Sequence, residues 1–183
     1  MRRAVEPIRS KTIINEIERY LRKTRFRNRV IWIFGINTGL RVSDILGLNV
    51  GDIRNKEYVE LIEKKTGKYK QFWLNEKLRK VLNKFIEGRN DDEPLFISQK
   101  IEHRLDRTQV YRILNQACRV VKAGETHIGT HTMRKTFGYH HYRMFKDVVM
   151  LQKIFNHSSP YITLRYIGIE QSKIDESYLK LVL

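Results

Sequence analysis

The sequence has one cysteine, Cys118, among 183 residues. A single thiol excludes an internal disulfide and a zinc site built from several cysteines, and it favours a reducing cytoplasm. Long apolar runs are also missing, because no window comes near the roughly 18 uncharged apolar residues that a membrane-crossing helix needs. The stretch 1–11 is basic and has no apolar run behind it. The sequence therefore predicts a soluble protein that is not exported.

Acidic residues are scarce relative to basic ones. The chain has 36 Lys and Arg against 20 Asp and Glu, a formal net charge of +16 that is spread along the whole length. This excess predicts a polyanionic partner, and nucleic acid is favoured over a membrane surface because no long basic helix with an aromatic face is present. Hydrophobic residues make up 41% of the chain, so we expect one folded domain with a single core.

Helical patterns occupy most of the chain. Ser10 is placed to cap a helix that runs to about Lys23, and a more apolar helix at 27–38 ends at Gly39, which can take the left-handed conformation of a helix end. Further helices are predicted at 75–88 with Asn75 as its cap, at 107–123 between Asp106 and Gly124, and after that in three or four pieces broken at Asp147, 158–160 and near Gly168.

One hairpin interrupts the helices. The stretches 57–63 and 69–74 have β-forming composition, and the turn KKTGK between them contains Gly67, which can supply positive φ. The predicted fold class is therefore α+β, mainly α, with a small antiparallel sheet. A long cation at the hairpin tip can reach a bound duplex, and the candidates are Lys64, Lys65 and Lys68.

Two pairs of polar residues are spaced to share a helix face. Arg41 and Asp44 are three residues apart, and so are His131 and Arg134. An arginine offers a planar fork of donors that matches two phosphate oxygens, so two arginines from separate helices can grip a phosphodiester and stabilise extra charge on it. Taken singly, each arginine is more often a solvated surface charge.

His157 and Tyr166 cannot converge from one continuous helix, because nine residues at ~100° each place them on opposite faces. The sequence SSP at 158–160 resolves this, since a serine can cap a new helix and proline suits its first turn. A phenol with a pKa of about 10 needs positive charge nearby to act as a nucleophile at neutral pH. Tyr161 is the nearest alternative tyrosine.

Four motifs occur in an order that is typical of one family: TGLRVSDIL (38–46), KKTGK (64–68), HTMR (131–134) and FNHSSPYITLRY (155–166). Together they resemble the tyrosine recombinases, the phage-type integrases, from about Ser10 to the C-terminus. The resemblance implies a catalytic-domain-like fold of that family. It departs from the family pattern at Leu40, where Ala is frequent, and at Asn156, where Gly is frequent.

The resemblance assigns the central chemistry. It implies that Arg41 and Arg134 clamp the scissile phosphate and that Tyr166, at the family's interval from His157, is the nucleophile. Lys65 matches the family's mobile lysine, the general acid for the departing 5′-oxygen. Either flanking lysine of the turn takes that role if the turn register differs, and a plain DNA-backbone contact remains the alternative.

The remaining roles follow from the same resemblance. His131 is expected to hydrogen-bond the phosphate or help manage the tyrosine proton, and His157 to donate to a non-bridging oxygen. Asp44 is expected to accept a bond from a catalytic side chain, or to be a structural carboxylate. The residues expected to contact DNA are Arg41, Lys64, Lys65, Lys68, Arg134 and Lys135.

The resemblance also implies the wider organisation. We expect one catalytic domain over 1–183 without the family's N-terminal core-binding domain, and a C-terminal docking tail over 168–183. No cofactor or metal ion is expected; His127 and His131 are four apart, but the intervening Gly and Thr and the missing HExxH argue against zinc. The expected partners are double-stranded recombination sites, further copies in a tetrameric synapse, and a core-binding domain or accessory protein.

The expected function is site-specific DNA recombination through a 3′-phosphotyrosine intermediate. The expected location is the bacterial cytoplasm, in association with the nucleoid. The gene is expected to belong to a bacterium, a phage or another mobile element. Two alternatives remain open from the residues. One is a type IB topoisomerase-like or telomere-resolving enzyme, which uses nearly the same side chains. The other is a DNA-binding accessory or regulatory protein that has kept the fold without turnover.

Overall fold

The computed structural model describes residues 5–98, 103–123, 128–169 and 178–181. Within these ranges the chain forms mainly helices and one two-stranded antiparallel sheet, as the sequence predicts. The elements are α1 (Lys11–Thr24), α2 (Phe26–Thr38), α3 (Val42–Ile45), β1 (Tyr58–Ile62), β2 (Tyr69–Trp73), α4 (Glu76–Ile86), α5 (Arg107–Val120), α6 (Thr132–Phe145), α7 (Val148–Phe155) and α8 (Pro160–Tyr166).

Side-chain caps begin the helices where the sequence places them. Ser10, Asn75 and Asp106 each accept a hydrogen bond from the backbone N–H three residues later, at the start of α1, α4 and α5. Of the two serines before Pro160, Ser159 is the cap of α8, and the proline occupies the first turn. These caps satisfy N–H groups that have no partner inside the helix.

The end of one helix and the presence of another differ from the prediction. The helix α5 ends at Val120 instead of at 123, and Lys122 adopts a left-handed conformation (φ 50°). Gly124, the predicted stop, lies outside the described ranges. Hydrogen bonds from Lys122 N to Arg119 O and from Ala123 N to Cys118 O close a Schellman motif there. The four-residue helix α3 was not predicted, because it is too short to show a period.

The core surrounds α2, whose Trp32 and Phe34 are fully buried. This helix packs against α1, α4 and α6. A second, smaller cluster lies under α6, α7 and α8, so the expectation of one core is wrong; its members are Tyr142, Leu151, Phe155, Ile167 and Ile169. Gly138 on α6 permits this packing, since a Cβ there would lie 2.7 Å from Phe155.

The hairpin lies on the protein with one face buried. Val59 pairs with Phe72 on the inner face, and Tyr58 pairs with Trp73 on the outer face. Gly67 closes the turn with φ 66°, as predicted. No helix among the described residues is long and apolar enough to cross a membrane.

Candidate active site

Arg134 is the most deeply buried of the predicted site residues, with 2% of its surface exposed. It lies on the first turn of α6, where its Nη1 donates to the carbonyl of Gly39 and its Nη2 to the carbonyl of Phe155, each at 2.8 Å. The guanidinium also stacks over the Phe155 ring at 4.3 Å. Two helix ends, those of α2 and α7, therefore hold Arg134 in one orientation.

Gly39 makes this arrangement possible in two ways. Its φ of 63° is left-handed, and a Cβ in its place would lie 2.4 Å from the Phe137 ring. Only glycine adopts such a conformation without strain and leaves room for the neighbouring ring. The helix α2 therefore stops with its last carbonyl available to Arg134.

Arg41 precedes α3 in an extended conformation and is mostly buried. Its Nη1 lies 2.8 Å from Oε1 of Glu63 and 3.9 Å from Oδ2 of Asp44. Oδ1 of Asp44 accepts a hydrogen bond from the backbone N–H of Lys64 at 3.0 Å. Asp44 thus joins α3 to the hairpin turn.

Tyr166 and His131 meet across the site. Tyr166 ends α8, His131 precedes α6, and the Tyr166 hydroxyl lies 3.1 Å from Nδ1 of His131. Burial lowers the pKa of His131, and the positive charge of Arg134 adds to the effect. Burial raises the pKa of Tyr166, against the opposing effect of Arg134 and Arg41. A neutral imidazole therefore faces a protonated phenol at neutral pH.

His157 follows the left-handed Asn156 at the end of α7. Its Nδ1 lies 3.0 Å from the hydroxyl of Thr163 on α8, and its ring centroid lies 5.1 Å from that of Tyr166. Burial, with the charges of Arg134 and Arg41, lowers the pKa of His157 to about 4. The histidine is therefore neutral, and its tautomer depends on which way the Thr163 hydroxyl points.

The predicted hairpin lysines divide into two groups. Lys64 and Lys65 are exposed and line a cleft of about 330 Å³, which Arg41 and His131 also line. Lys68 is exposed beyond the turn and is not among the described residues that line this cleft. Lys135 has its Nζ 4.8 Å from the centre of the Tyr166 ring.

Four further residues join the site and were not predicted. Glu63 and Lys70 are buried between the hairpin and the helices, Arg107 lines the cleft, and Asn156 donates to Glu63 at 3.1 Å. One signal was available for Lys70, because it alternates with the buried Phe72 along β2 and so faces inward. The others depend on packing between segments far apart in the sequence.

Among the described residues, no group of three or more His, Cys, Asp and Glu side chains is arranged to hold a metal ion. His127, one half of the pair considered in the sequence, lies outside the described ranges.

Comparison with known proteins identifies the family to which the chain is similar. Residues 5–173 match the phage integrase family. The chain is 43% identical to a probable integrase/recombinase, YoeC of Bacillus subtilis (strain 168), over 95% of both chains. It is 29% identical to tyrosine recombinase XerC of Thermodesulfovibrio yellowstonii (strain ATCC 51303 / DSM 11347 / YP87), with 84% of this chain and 54% of that protein covered.

Solved structures share the fold. The crystal structure of XerA recombinase superposes with a TM-score of 0.75 at 20% identity over 98% of this chain and 65% of that one. A lambda integrase(75-356) dimer bound to a COC′ core site gives a TM-score of 0.73 at 17% identity over 92% and 60%. The chain spans about half the length of the XerC relative. It belongs to the phage integrase family and has the catalytic-domain fold of the tyrosine recombinases.

Proposed function

We propose that this chain is a site-specific recombinase that breaks and rejoins duplex DNA through a covalent bond between Tyr166 and a 3′-phosphate. The observation that carries the proposal is the 3.1 Å contact between the Tyr166 hydroxyl and His131, beside the buried Arg134 and the mostly buried Arg41. A nucleophile, a neutral base and two phosphate-binding cations then occupy one site, which is the set that acyl or phosphoryl transfer to a side chain requires.

In the first step, the Tyr166 oxygen attacks the scissile phosphorus while Nδ1 of His131 accepts the phenolic proton. Arg41 and Arg134 stabilise the extra negative charge of the pentacoordinate transition state. His157 donates to a non-bridging oxygen from Nε2, which requires the single Thr163 proton to be donated to Nδ1 at 3.0 Å instead of to the carbonyl of Ser159 at 3.2 Å. Arg134 contributes most through preorganisation, since two carbonyls already fix its plane.

In the second part of that step, the bond from phosphorus to the 5′-oxygen breaks. The oxygen takes the electron pair, and Lys65 at the hairpin turn supplies its proton. A 5′-hydroxyl of another strand later attacks the phosphotyrosine and returns the phenol as leaving group. Because one phosphoester replaces another at each stage, the reaction balances without ATP, a cofactor or a metal ion.

The proposed substrate is duplex DNA that carries a recombination site. The net charge of +16 supports this, and so do the exposed Lys64, Lys65 and Arg107 around the cleft. The structural neighbours include recombinases bound to such DNA, among them a XerH complex with a difH substrate. Lys68 and Lys135 are proposed to contact the backbone on either side of the site.

The proposed assembly is a tetramer on two paired sites. Tyr178, Leu179 and Leu181 support it, since all three are more than 60% exposed and apolar side chains of a C-terminal segment are suited to docking on a neighbouring copy. The remainder of the proposed tail over 168–183 lies largely outside the described residues. We propose that a core-binding domain or accessory protein completes the grip on DNA, and that the protein acts on a bacterial nucleoid.

The test is covalent capture. The protein is incubated in EDTA with nicked duplexes that carry the ends of its host element, and protein–DNA adducts are separated on a denaturing gel. Tyr166→Phe is expected to abolish the adduct. Tyr161→Phe is the matched control, since Tyr161 lies on the same helix and is 57% exposed.

Each outcome has a meaning. An adduct that is lost in Tyr166→Phe and kept in Tyr161→Phe establishes the nucleophile. An adduct that survives Tyr166→Phe assigns the chemistry to another residue. Duplex binding with no adduct on the true site favours a DNA-binding protein without turnover. Relaxation of supercoiled DNA by the monomer favours the topoisomerase-like alternative.

A further inference from the structure

Glu63 is a fully buried carboxylate at the centre of the site. It follows β1 and is not one of the residues that the family resemblance identifies. Its Oε1 lies 2.8 Å from Arg41 Nη1 and 3.7 Å from Lys70 Nζ. Its Oε2 accepts hydrogen bonds from the Thr66 hydroxyl at 2.7 Å and from the Asn156 amide at 3.1 Å.

We propose that Glu63 is the positioning residue that holds three separate catalytic segments in register. This inference rests on the proposed function. Of its partners, Arg41 is itself a predicted phosphate ligand, Thr66 is adjacent to Lys65 in the hairpin turn, and Asn156 is adjacent to His157. One carboxylate therefore connects the phosphate clamp, the general acid and the second histidine.

The charges around Glu63 make the arrangement stiff. Burial alone raises the pKa of this carboxyl, but Arg41, Thr66 and Asn156 outweigh burial and hold the pKa at about 2. Lys70 is buried beside it and donates to the carbonyl of Ile154 on α7. Removing one partner of such a buried ion pair strongly destabilises a protein, because it leaves the other charge buried without compensation. The position of each charged group therefore depends on the others.

Arg41 is held by charge more than by aligned hydrogen bonds. Among the described residues, neither Nη1 of Arg41 nor Oε1 of Glu63 has a hydrogen-bond partner of good geometry, although the two atoms lie 2.8 Å apart. Arg41 also lines the cleft. The carboxylate therefore fixes the position of the guanidinium through the buried Nη1, and the other guanidinium nitrogens remain to bind a phosphate in the cleft.

Asn156 combines a left-handed backbone at the end of α7 with a side chain that contacts Glu63. Its φ of 53° is left-handed, a conformation in which glycine is the usual residue and asparagine the usual alternative. Asparagine ends α7 as glycine does and adds an amide that reaches Glu63. Asn156→Gly therefore removes the link to His157 and keeps the backbone.

The experiment compares single-turnover cleavage of nicked site DNA by Glu63→Gln, Thr66→Val and Asn156→Gly. Glu60→Gln is the matched control, because Glu60 lies on β1, three residues before Glu63, with an exposed side chain. Glu63→Gln is expected to lower the cleavage rate constant about a hundredfold, since misplaced groups lose orientation. The Kd for the duplex is expected to change less than about threefold, because the exposed cations remain.

A substrate with sulfur in place of the bridging 5′-oxygen separates the effect of Glu63 on Lys65, through Thr66, from its effect on His157, through Asn156. A thiol has a pKa of about 8.5, so the thiolate leaves with its electron pair without a proton from Lys65. Thr66→Val is expected to be slow on ordinary DNA and to regain the wild-type rate on this substrate. Asn156→Gly is expected to stay slow on both, and Glu63→Gln to recover in part.

These outcomes decide the proposal. Cleavage by Glu63→Gln at the rate of Glu60→Gln overturns it, and so does a Thr66→Val defect that the sulfur substrate leaves unchanged. If Glu63→Gln does not fold, the other two variants carry the test. Without DNA, the guanidinium NMR signals of Arg41 are expected to be slowly exchanging in the wild type and averaged in Thr66→Val or Glu63→Gln. That measurement stands even if the wild type forms no adduct.

Discussion

The hydroxyl of Tyr166 lies 3.1 Å from Nδ1 of His131. Tyr166 is at the end of α8 and His131 at the start of α6, and both helices pack against α7. Partial burial and the charge of Arg134 lower the pKa of the histidine, and burial raises the pKa of the phenol, so the histidine is neutral and the phenol protonated at neutral pH. The pair is therefore set for transfer of the phenolic proton to the imidazole as the tyrosine attacks.

His131→Ala is expected to lower the rate of adduct formation about a hundredfold or more, because a positioned base contributes about 10²–10⁴-fold. In the wild type, burial places the pKa of His131 below 6.5, so the rate is expected to hold near pH 7 and to fall only below that value. In the variant, the rate is expected to keep rising with pH as the phenol ionises. Single-turnover rates from pH 5 to 9 check this.

His103→Ala is the control for that series, since His103 is exposed and its backbone carbonyl accepts a hydrogen bond from the N–H of Ser98. NMR titration of the His131 ring in the DNA-free protein measures the pKa of His131 directly. A His131 pKa above 6.5, or an alanine variant with the wild-type pH profile, would contradict the assignment of His131 as the base.

Thr163→Val is expected to slow cleavage about tenfold, the effect of about 1.4 kcal/mol from one lost hydrogen bond in the transition state. Thr163 is fully buried, and its hydroxyl lies 3.0 Å from Nδ1 of His157. Without it, no donor at position 163 holds the proton on Nε2, so the share of His157 rings that can donate from Nε2 to phosphate falls. Thr163→Ser keeps the hydroxyl and is expected to restore the rate. A valine variant as fast as wild type would show that this tautomer is irrelevant.

Glu63 is expected to make the protein sensitive to acid. Its pKa is lowered from 4.5 to about 2, so its stabilisation is complete above pH 4.5 and is lost as the pH falls toward 2. The ionised Glu63 is expected to contribute about 3 kcal/mol to the free energy of unfolding at pH 7. Denaturant unfolding at pH 7, 4.5 and 3 is expected to show a shallower acid slope in Glu63→Gln. Glu60→Gln is expected to follow the wild type, and equal slopes in all three proteins would refute the prediction.

Gly39→Ala is expected to destabilise the fold by more than about 2 kcal/mol, combining left-handed strain with overpacking against Phe137. Gly88→Ala isolates the strain, since Gly88 has φ 71° and open space where its Cβ would be. It is expected to cost about 1 kcal/mol. Chemical denaturation of both variants measures the difference, and equal losses would mean that the ring moves aside without cost.

Local chemistry accounts for the features that were predicted correctly. The caps at Ser10, Asn75 and Asp106, the stop at Gly39 and the turn at Gly67 depend on neighbours within a few residues. The end of α5 was misplaced for a related reason. Lys122 accepts a left-handed conformation because the Schellman bonds of that helix end offset a strain that glycine would have avoided.

The sequence by itself determined the fold class, the family and the order of the predicted catalytic residues, because spacing and helix signals are properties of adjacent residues. Only the tertiary structure decided that Glu63 connects Arg41, Thr66 and Asn156, and that two carbonyls hold Arg134. Those contacts join groups up to 95 residues apart. Their strength comes from burial away from water, which exists only after the helices and the hairpin have packed.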